Sequence, residues 1–232
     1  MKKIVLANRK GGVGKTTLAY NLGASYIAAG YSVLFVDLDS QGNLTTLCGL
    51  QPITLDEWKA TKVQRINSRL SVLPATKAFS QLTDEVNKEF DRNSYLKNTI
   101  LPELEGLADV LIIDTPPALD VLNINAFCIA DTILVPVNPD SFSLQGLKEM
   151  EQIINKVKTI NPTLEYKTVL NAYFNRQTFT AASRETLQKY PAYSGVEIPH
   201  RAIFAKANAT RKPAITEPEI HEAFNSLQGA IA

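Results

Sequence analysis

Residues 10–17, Lys10-Gly11-Gly12-Val13-Gly14-Lys15-Thr16-Thr17, stand between an apolar stretch, Ile4-Val5-Leu6-Ala7, and a helix-forming run that begins at Leu18. A strand that enters a glycine-rich turn and leaves it as a helix points several unpaired backbone N–H groups one way, at the positive end of the helix dipole. Such a turn cradles phosphate. Gly11, Gly12 and Gly14 let the backbone approach phosphate oxygens, Lys15 supplies a cation, and the Thr16 hydroxyl can ligate Mg2+. With Val13 and Thr17 in the same loop, the segment reads as a site for a nucleoside triphosphate.

The rest of the chain repeats the same alternation. Apolar runs of strand length fall near 3–8, 32–37, 70–74, 109–114, 132–137, 167–172 and 195–198, with amphipathic segments between them at about 15–29, 119–130 and 143–159. That is the pattern of a mostly parallel sheet with helices on both faces. Residues 51–69 are polar and irregular, and 77–104 read as helix with a break at Pro102. No linker rich in Gly, Pro or Ser divides the 232 residues, so 1–232 is expected to form a single domain.

Composition narrows the partners. Lys and Arg total 24 against 23 Asp and Glu, so any nucleic acid or membrane must be met by a local patch. Cys48 and Cys128 lie far apart, outside any C-x-x-C pair, which speaks against a zinc site or a disulfide framework. No apolar run reaches transmembrane length. A cytoplasmic protein is expected.

An ordinary phosphate loop would have glycine at position 9; this chain has Arg9 and gains a second lysine, Lys10. The K-G-G-x-G-K-[ST] spelling resembles the deviant Walker A box of the ParA/MinD family of ATPases. That resemblance implies a P-loop NTPase of the doubly wound α/β class, ATP and Mg2+ as ligands, and a homodimer in which Lys10 reaches the partner's nucleotide. It makes Lys10, Lys15 and Asp39 the catalytic candidates. Asp37-Leu38-Asp39-Ser40-Gln41-Gly42-Asn43 resembles the family's D-x-D-P-Q-x-N box, where Asp39 orients the attacking water and Asp37 supports the magnesium network. Asp114 ends the apolar run Val110-Leu111-Ile112-Ile113 and matches a Walker B carboxylate, so Thr16, Asp37 and Asp114 are the expected metal residues. From Asp114 to Asn125-Ala126 the chain resembles the segments that sense the γ-phosphate.

GTP-specific relatives read guanine with an N-K-x-D box; here Leu170-Asn171-Ala172-Tyr173-Phe174 lacks its Lys and Asp, which favours ATP. Glu197-Ile198-Pro199-His200-Arg201 resembles an I-P-R-N segment lining adenine, so Asn171, Pro199 and Arg201 join the nucleotide-binding candidates. Arg176 falls where the family carries a DNA-contacting arginine. With His200, Lys206, Arg211 and Lys212 it would make a sequence-independent, salt-sensitive face for DNA, the alternative being a solvated basic loop. Lys206-Ala207-Asn208 and Arg211 replace the family's Glu-Ala-Pro and a later glycine.

The resemblance is to ParA/Soj-like partition ATPases of the short form, without an N-terminal helix-turn-helix. It implies slow ATP hydrolysis stimulated by a ParB-like partner, nonspecific DNA binding on the nucleoid, and segregation of plasmid or chromosome cargo. Three rivals share the phosphate loop. A nitrogenase-type iron protein needs two cluster-ligating cysteines, which Cys48 and Cys128 do not match. A MinD-like membrane-cycling ATPase should end in a basic amphipathic helix, whereas Ile220, Ala223, Phe224, Leu227 and Ile231 form a stripe opposite a face that carries Glu and no Lys or Arg. Core packing is therefore expected of that stripe, and no stable membrane association. A metabolic P-loop enzyme is opposed by Lys10 and the box at 39–43.

Overall fold

The computed structural model describes residues 1–173 and 178–231. Along the chain run β1 (Lys2–Leu6), α1 (Lys15–Ala28), β2 (Val33–Asp37), α2 (Asn43–Leu47), α3 (Leu55–Lys59), β3 (Gln64–Arg65), β4 (Leu70–Leu73), α4 (Phe79–Val86) and α5 (Leu101–Leu104). They continue as β5 (Val110–Asp114), α6 (Val121–Ile129), β6 (Thr132–Val137), α7 (Ser141–Val157), β7 (Glu165–Tyr173), α8 (Thr178–Gln188), β8 (Tyr193–Pro199), α9 (Ala202–Thr210) and α10 (Pro218–Ala230). The strands form one sheet in the order β3-β4-β2-β5-β1-β6-β7-β8, parallel throughout except for the antiparallel β3.

β2 and β5 are buried along their whole length, as expected of central strands covered on both faces. Two apolar clusters lie on either side of the sheet. One joins Trp58, Phe79 and Phe127 beneath α3 to α7; the other joins Leu18, Leu22, Phe35 and Phe224 beneath α1 and α10. α1 presses closely on β2 at Gly23, where a Cβ would fall 2.2 Å from Phe35 Cζ. Ile220, Phe224, Leu227 and Ile231 are buried, so the C-terminal stripe packs in the core as expected. Among the described residues no helix is long and apolar enough to cross a membrane.

All seven expected strands form. Three helical segments differ from expectation. Residues 51–69 hold α3, started by a reciprocal cap in which Thr54 Oγ1 accepts from the Glu57 N–H and the Glu57 carboxylate accepts from Thr54 N. Trp58 anchors α3 in the core, and β3 follows. Between 77 and 104 the single long helix gives way to α4, a stretch of turns, and a wide helical turn over 96–100 that leads into α5, where Pro102 sits at the helix start rather than at a break. The basic stretch after Pro199 is not a loop: most of it is α9.

Candidate nucleotide site

In a parallel sheet the strand ends at the carboxyl edge open toward the loops that follow, and there the candidates gather. β1 leads into the glycine-rich loop. Gly12 and Gly14 have φ of +73° and +89°, the left-handed region that suits glycine, and α1 starts directly after Gly14. Asn8 braces this turn from below, donating Nδ2 to the Pro136 carbonyl at 2.7 Å and accepting from Lys10 N at 2.9 Å.

Lys15 is buried, its Nζ 3.2 Å from the Asn8 carbonyl oxygen. Burial lowers its pKa, while the charges of Asp114 and then Asp39 oppose that shift. Thr16 Oγ1 donates to Asp114 Oδ2 at 2.6 Å. β2 and β5 are in register so that Asp37 and Asp114 are directly paired, placing two carboxylates behind the loop. Burial pushes the Asp114 carboxyl up to about 8, and the neighbouring Asp37 charge adds to the rise. Its Oδ1 is buried with no hydrogen-bond partner among the described residues. A hydroxyl and a carboxylate with an unused oxygen, beside a phosphate loop, form a hard-oxygen donor set that fits Mg2+.

The second aspartate is used differently. Asp37 Oδ2 accepts from Thr45 N and Thr45 Oγ1, both at 2.8 Å, and Oδ1 accepts from Asp39 N at 3.1 Å. Burial is the main cause of its pKa rising to about 6. Thr45 Oγ1 also accepts from Ala75 N at 2.8 Å, so Asp37 holds α2 and the Asp39 backbone in place through a bridge to the segment after β4. It does not line the cleft.

Asp39 does. With Gly11, Gly14, Lys15, Thr16 and Thr17 it borders a cleft of about 750 Å³. A smaller cavity of about 180 Å³ adjoins it, sharing Gly12, Gly14 and Thr17 and lined further by Asn171, Pro199, His200 and Arg201. The three base-contact candidates are thus brought together. Asn171 Nδ2 donates to the Val13 carbonyl at 2.7 Å and lies against Gly14, where a Cβ would come within 2.5 Å of it. Arg201 Nη2 donates to both carboxylate oxygens of Glu219, at 2.8 and 2.9 Å. His200 lines this smaller cavity with Pro199 and Arg201 rather than standing with the exposed cations of α9.

Lys206, Arg211 and Lys212 are exposed on α9 and the turn that ends it. Arg211 takes φ +55°, the left-handed conformation, at the position where the resembled motif has glycine. Its carbonyl accepts from Tyr20 OH at 2.9 Å, and Lys212 N donates to the Ala207 carbonyl at 3.1 Å, which hold the turn in that shape. Arg176 lies outside the described residues.

Lys10 Nζ forms an ion pair with Asp140 Oδ2, and Arg9 Nη1 pairs with Glu149 Oε2 on α7, each at 2.5 Å. In the stretch expected to sense phosphate, Thr115 Oγ1 donates to the Leu6 carbonyl at 2.8 Å. Asn125 is spent on the turn before α5, accepting from Leu96 N and donating to the Arg92 carbonyl. Asn8, Thr45 and Asp140 were not among the site candidates read from the sequence, nor was Asn208 given a role there. Asp140 meets Lys10 across a separation of 130 residues, which no local pattern reveals. Asn208 was visible only as a departure from the family's proline.

A phosphate loop at the carboxyl end of β1, with a buried aspartate on the adjacent strand and a lysine at each end of the loop, defines a P-loop NTPase site. A family model described as an AAA domain matches residues 1–166. The chain is 34% identical over 207 residues to the chromosome-partitioning ATPase Soj of Treponema pallidum, covering 85% of this chain and 80% of that protein. It belongs to the ParA/Soj family of partition ATPases. Among solved structures, apo McdA from Cyanothece superposes with a TM-score of 0.86 over the full length of both chains at 24% identity, a likeness of fold. Cobyrinic acid a,c-diamide synthase from Mycobacterium smegmatis, with bound ADP and magnesium, superposes at 0.80 with 28% identity over 99% of this chain and 96% of that one.

Proposed function

We propose that this chain is an ATP-driven partition switch: two copies clasp ATP between them, the dimer binds DNA without regard to sequence, and a ParB-like protein stimulates hydrolysis and release. The observation that carries this reading is the convergence of Lys15, Thr16 and Asp39 on one cleft of about 750 Å³, with Asp114 bonded to Thr16 behind it and Lys10 at the start of the loop. Lys15 and the loop N–H groups hold the phosphates. Thr16 and Asp114 would hold Mg2+, which neutralises phosphate charge when bound. Asp39, which borders the cleft, would orient the attacking water, while Asp37 holds its backbone.

Phosphoryl transfer leaves the protein chiefly positioning and charge stabilisation to supply. Lys10 immediately precedes Gly11, which borders the cleft, and transfer of its ammonium to a partner's nucleotide would add a cation in trans. By analogy with arginine fingers such a cation is worth about three to five orders of magnitude in rate. A single chain should then hydrolyse ATP slowly. The exposed cations Lys206, Arg211 and Lys212, with Arg176, supply a DNA face that dimerisation doubles, and this couples DNA affinity to ATP.

The likeness to the mycobacterial synthase favours a second reading, an ATP-dependent enzyme acting on a small carboxylate. Sedimentation with ATP or ADP, followed by titration with nonspecific duplex DNA at two salt concentrations, separates the two. The partition reading requires an ATP-specific dimer whose DNA affinity falls with salt. A monomer indifferent to DNA in ATP rejects it.

A further inference from the structure

Asn208 stands in α9, 191 residues from Thr17, yet its side-chain Nδ2 donates to Thr17 Oγ1 at 3.4 Å. It lines the phosphate cleft, and Thr17 belongs to both the cleft and the smaller cavity beyond it. A nucleotide with its phosphates on the loop and its base beside Pro199 has to carry its sugar across the junction marked by Gly12, Gly14 and Thr17. Asn208 faces that junction.

A carboxamide has two N–H donors and an acceptor oxygen. One donor goes to Thr17, and Asn208 Oδ1 accepts no hydrogen bond among the described residues. Between phosphates and base, the donors a nucleotide presents are its ribose hydroxyls. The motif this segment resembles has proline here, which has no side-chain acceptor, so the feature belongs to this chain's own sequence.

We propose that Asn208 is a specificity-determining residue whose carboxamide oxygen accepts a hydrogen bond from a ribose hydroxyl, so that the site prefers ribonucleotides to deoxyribonucleotides. This rests on the nucleotide-binding reading above. Calorimetric titration of the full chain with Mg2+ and ADP, 2′-deoxy-ADP or 3′-deoxy-ADP tests it, the diphosphates keeping ATP-driven dimerisation and hydrolysis out of the measurement. The chain should bind ADP about three- to tenfold more tightly than at least one deoxy analogue, the range of one net hydrogen bond. Asn208→Ala should bind all three alike, whereas Asn208→Asp, which keeps an acceptor, should retain the preference even as its added charge weakens every affinity. Asn208 as a mere brace for Thr17 would lower the three affinities together in the Ala variant and leave their ratio unchanged, which overturns the proposal. So does an unmodified chain with no preference. Failure of ADP itself to bind would reject the nucleotide reading along with it.

Discussion

The ammonium of Lys10 lies 2.5 Å from Asp140 Oδ2, so within one chain the phosphate loop is tied to the residue that precedes α7. A lysine that must reach a second subunit has first to leave this partner. Both side chains are about one-third exposed, and a pair in that setting contributes little, on the order of 0–1 kcal/mol, so the tie is readily exchanged. Lys10→Ala should bind ADP normally and fail to dimerise with ATP. Asp140→Asn should lower the ATP concentration needed for dimerisation by a few-fold. Sedimentation velocity across an ATP titration reads both, and full dimerisation by Lys10→Ala removes the switch role.

Asp39→Ala should keep ATP binding and dimerisation while lowering turnover at least about a hundredfold, as expected for loss of a group that positions or deprotonates the nucleophile. Lys15→Ala should lose nucleotide binding altogether. Phosphate release and calorimetry distinguish the two variants; unchanged turnover in the first would clear Asp39 of the chemistry.

Asp37 and Asp114 titrate in the folded chain near 6 and 8, above the ordinary 3.8. Between about pH 4 and pH 8 the folded state therefore keeps protons that the unfolded chain has released, and stability falls as pH rises through that window. Nucleotide-free protein should melt at a lower temperature at pH 8.5 than at pH 5.5. Mg2+ with ADP requires Asp114 ionised, so the rise in melting temperature it brings should be larger on the alkaline side. Calorimetric scans at three pH values check both trends, and a flat profile would mean that the pair is already ionised.

Arg211 holds a backbone conformation that costs a non-glycine residue about 1–2 kcal/mol. Arg211→Gly should relieve that strain, offset by the extra freedom glycine brings to the unfolded chain, for a net gain of at most about 1 kcal/mol. The same variant removes a cation from the DNA face and should reduce the salt slope of DNA binding by roughly 0.9. Arg176→Glu should weaken DNA binding while leaving dimerisation alone. A normal DNA isotherm in both would assign the α9 region to solvent.

Gly23→Ala puts a methyl group 2.2 Å from Phe35 Cζ and should cost about 1–3 kcal/mol, exceeding the helix preference that alanine adds. Urea denaturation should show a lower midpoint with an unchanged slope.

The sheet was legible because its strands are continuous apolar runs and its phosphate loop is spelled in adjacent residues. Asp114 could be placed because a strand that ends in a carboxylate beside such a loop has few other uses. The region around α3 was opaque: Thr54 and Glu57 form a capping box in plain sequence, but the helix is only a turn or so long and is secured by just Leu55 and Trp58. The stretch from 77 to 104 is broken both locally, where Ser94 N and Oγ bond back to Asp91, and by tertiary packing, with Asn125 holding Leu96 from another element. The use of Asp37 was hidden for the same reason, since Thr45 becomes its partner only when α2 folds back over the end of β2.

Thr45 joins Asp37 to the Ala75 backbone with buried bonds, whereas Lys10 and Arg9 reach Asp140 and Glu149 through solvent-accessible ones. One flank of the cleft is in effect a fixed wall and the other a latch. If ATP is hydrolysed here as proposed, movement released by loss of the terminal phosphate would pass outward along α7, and a stimulating partner would act on that side.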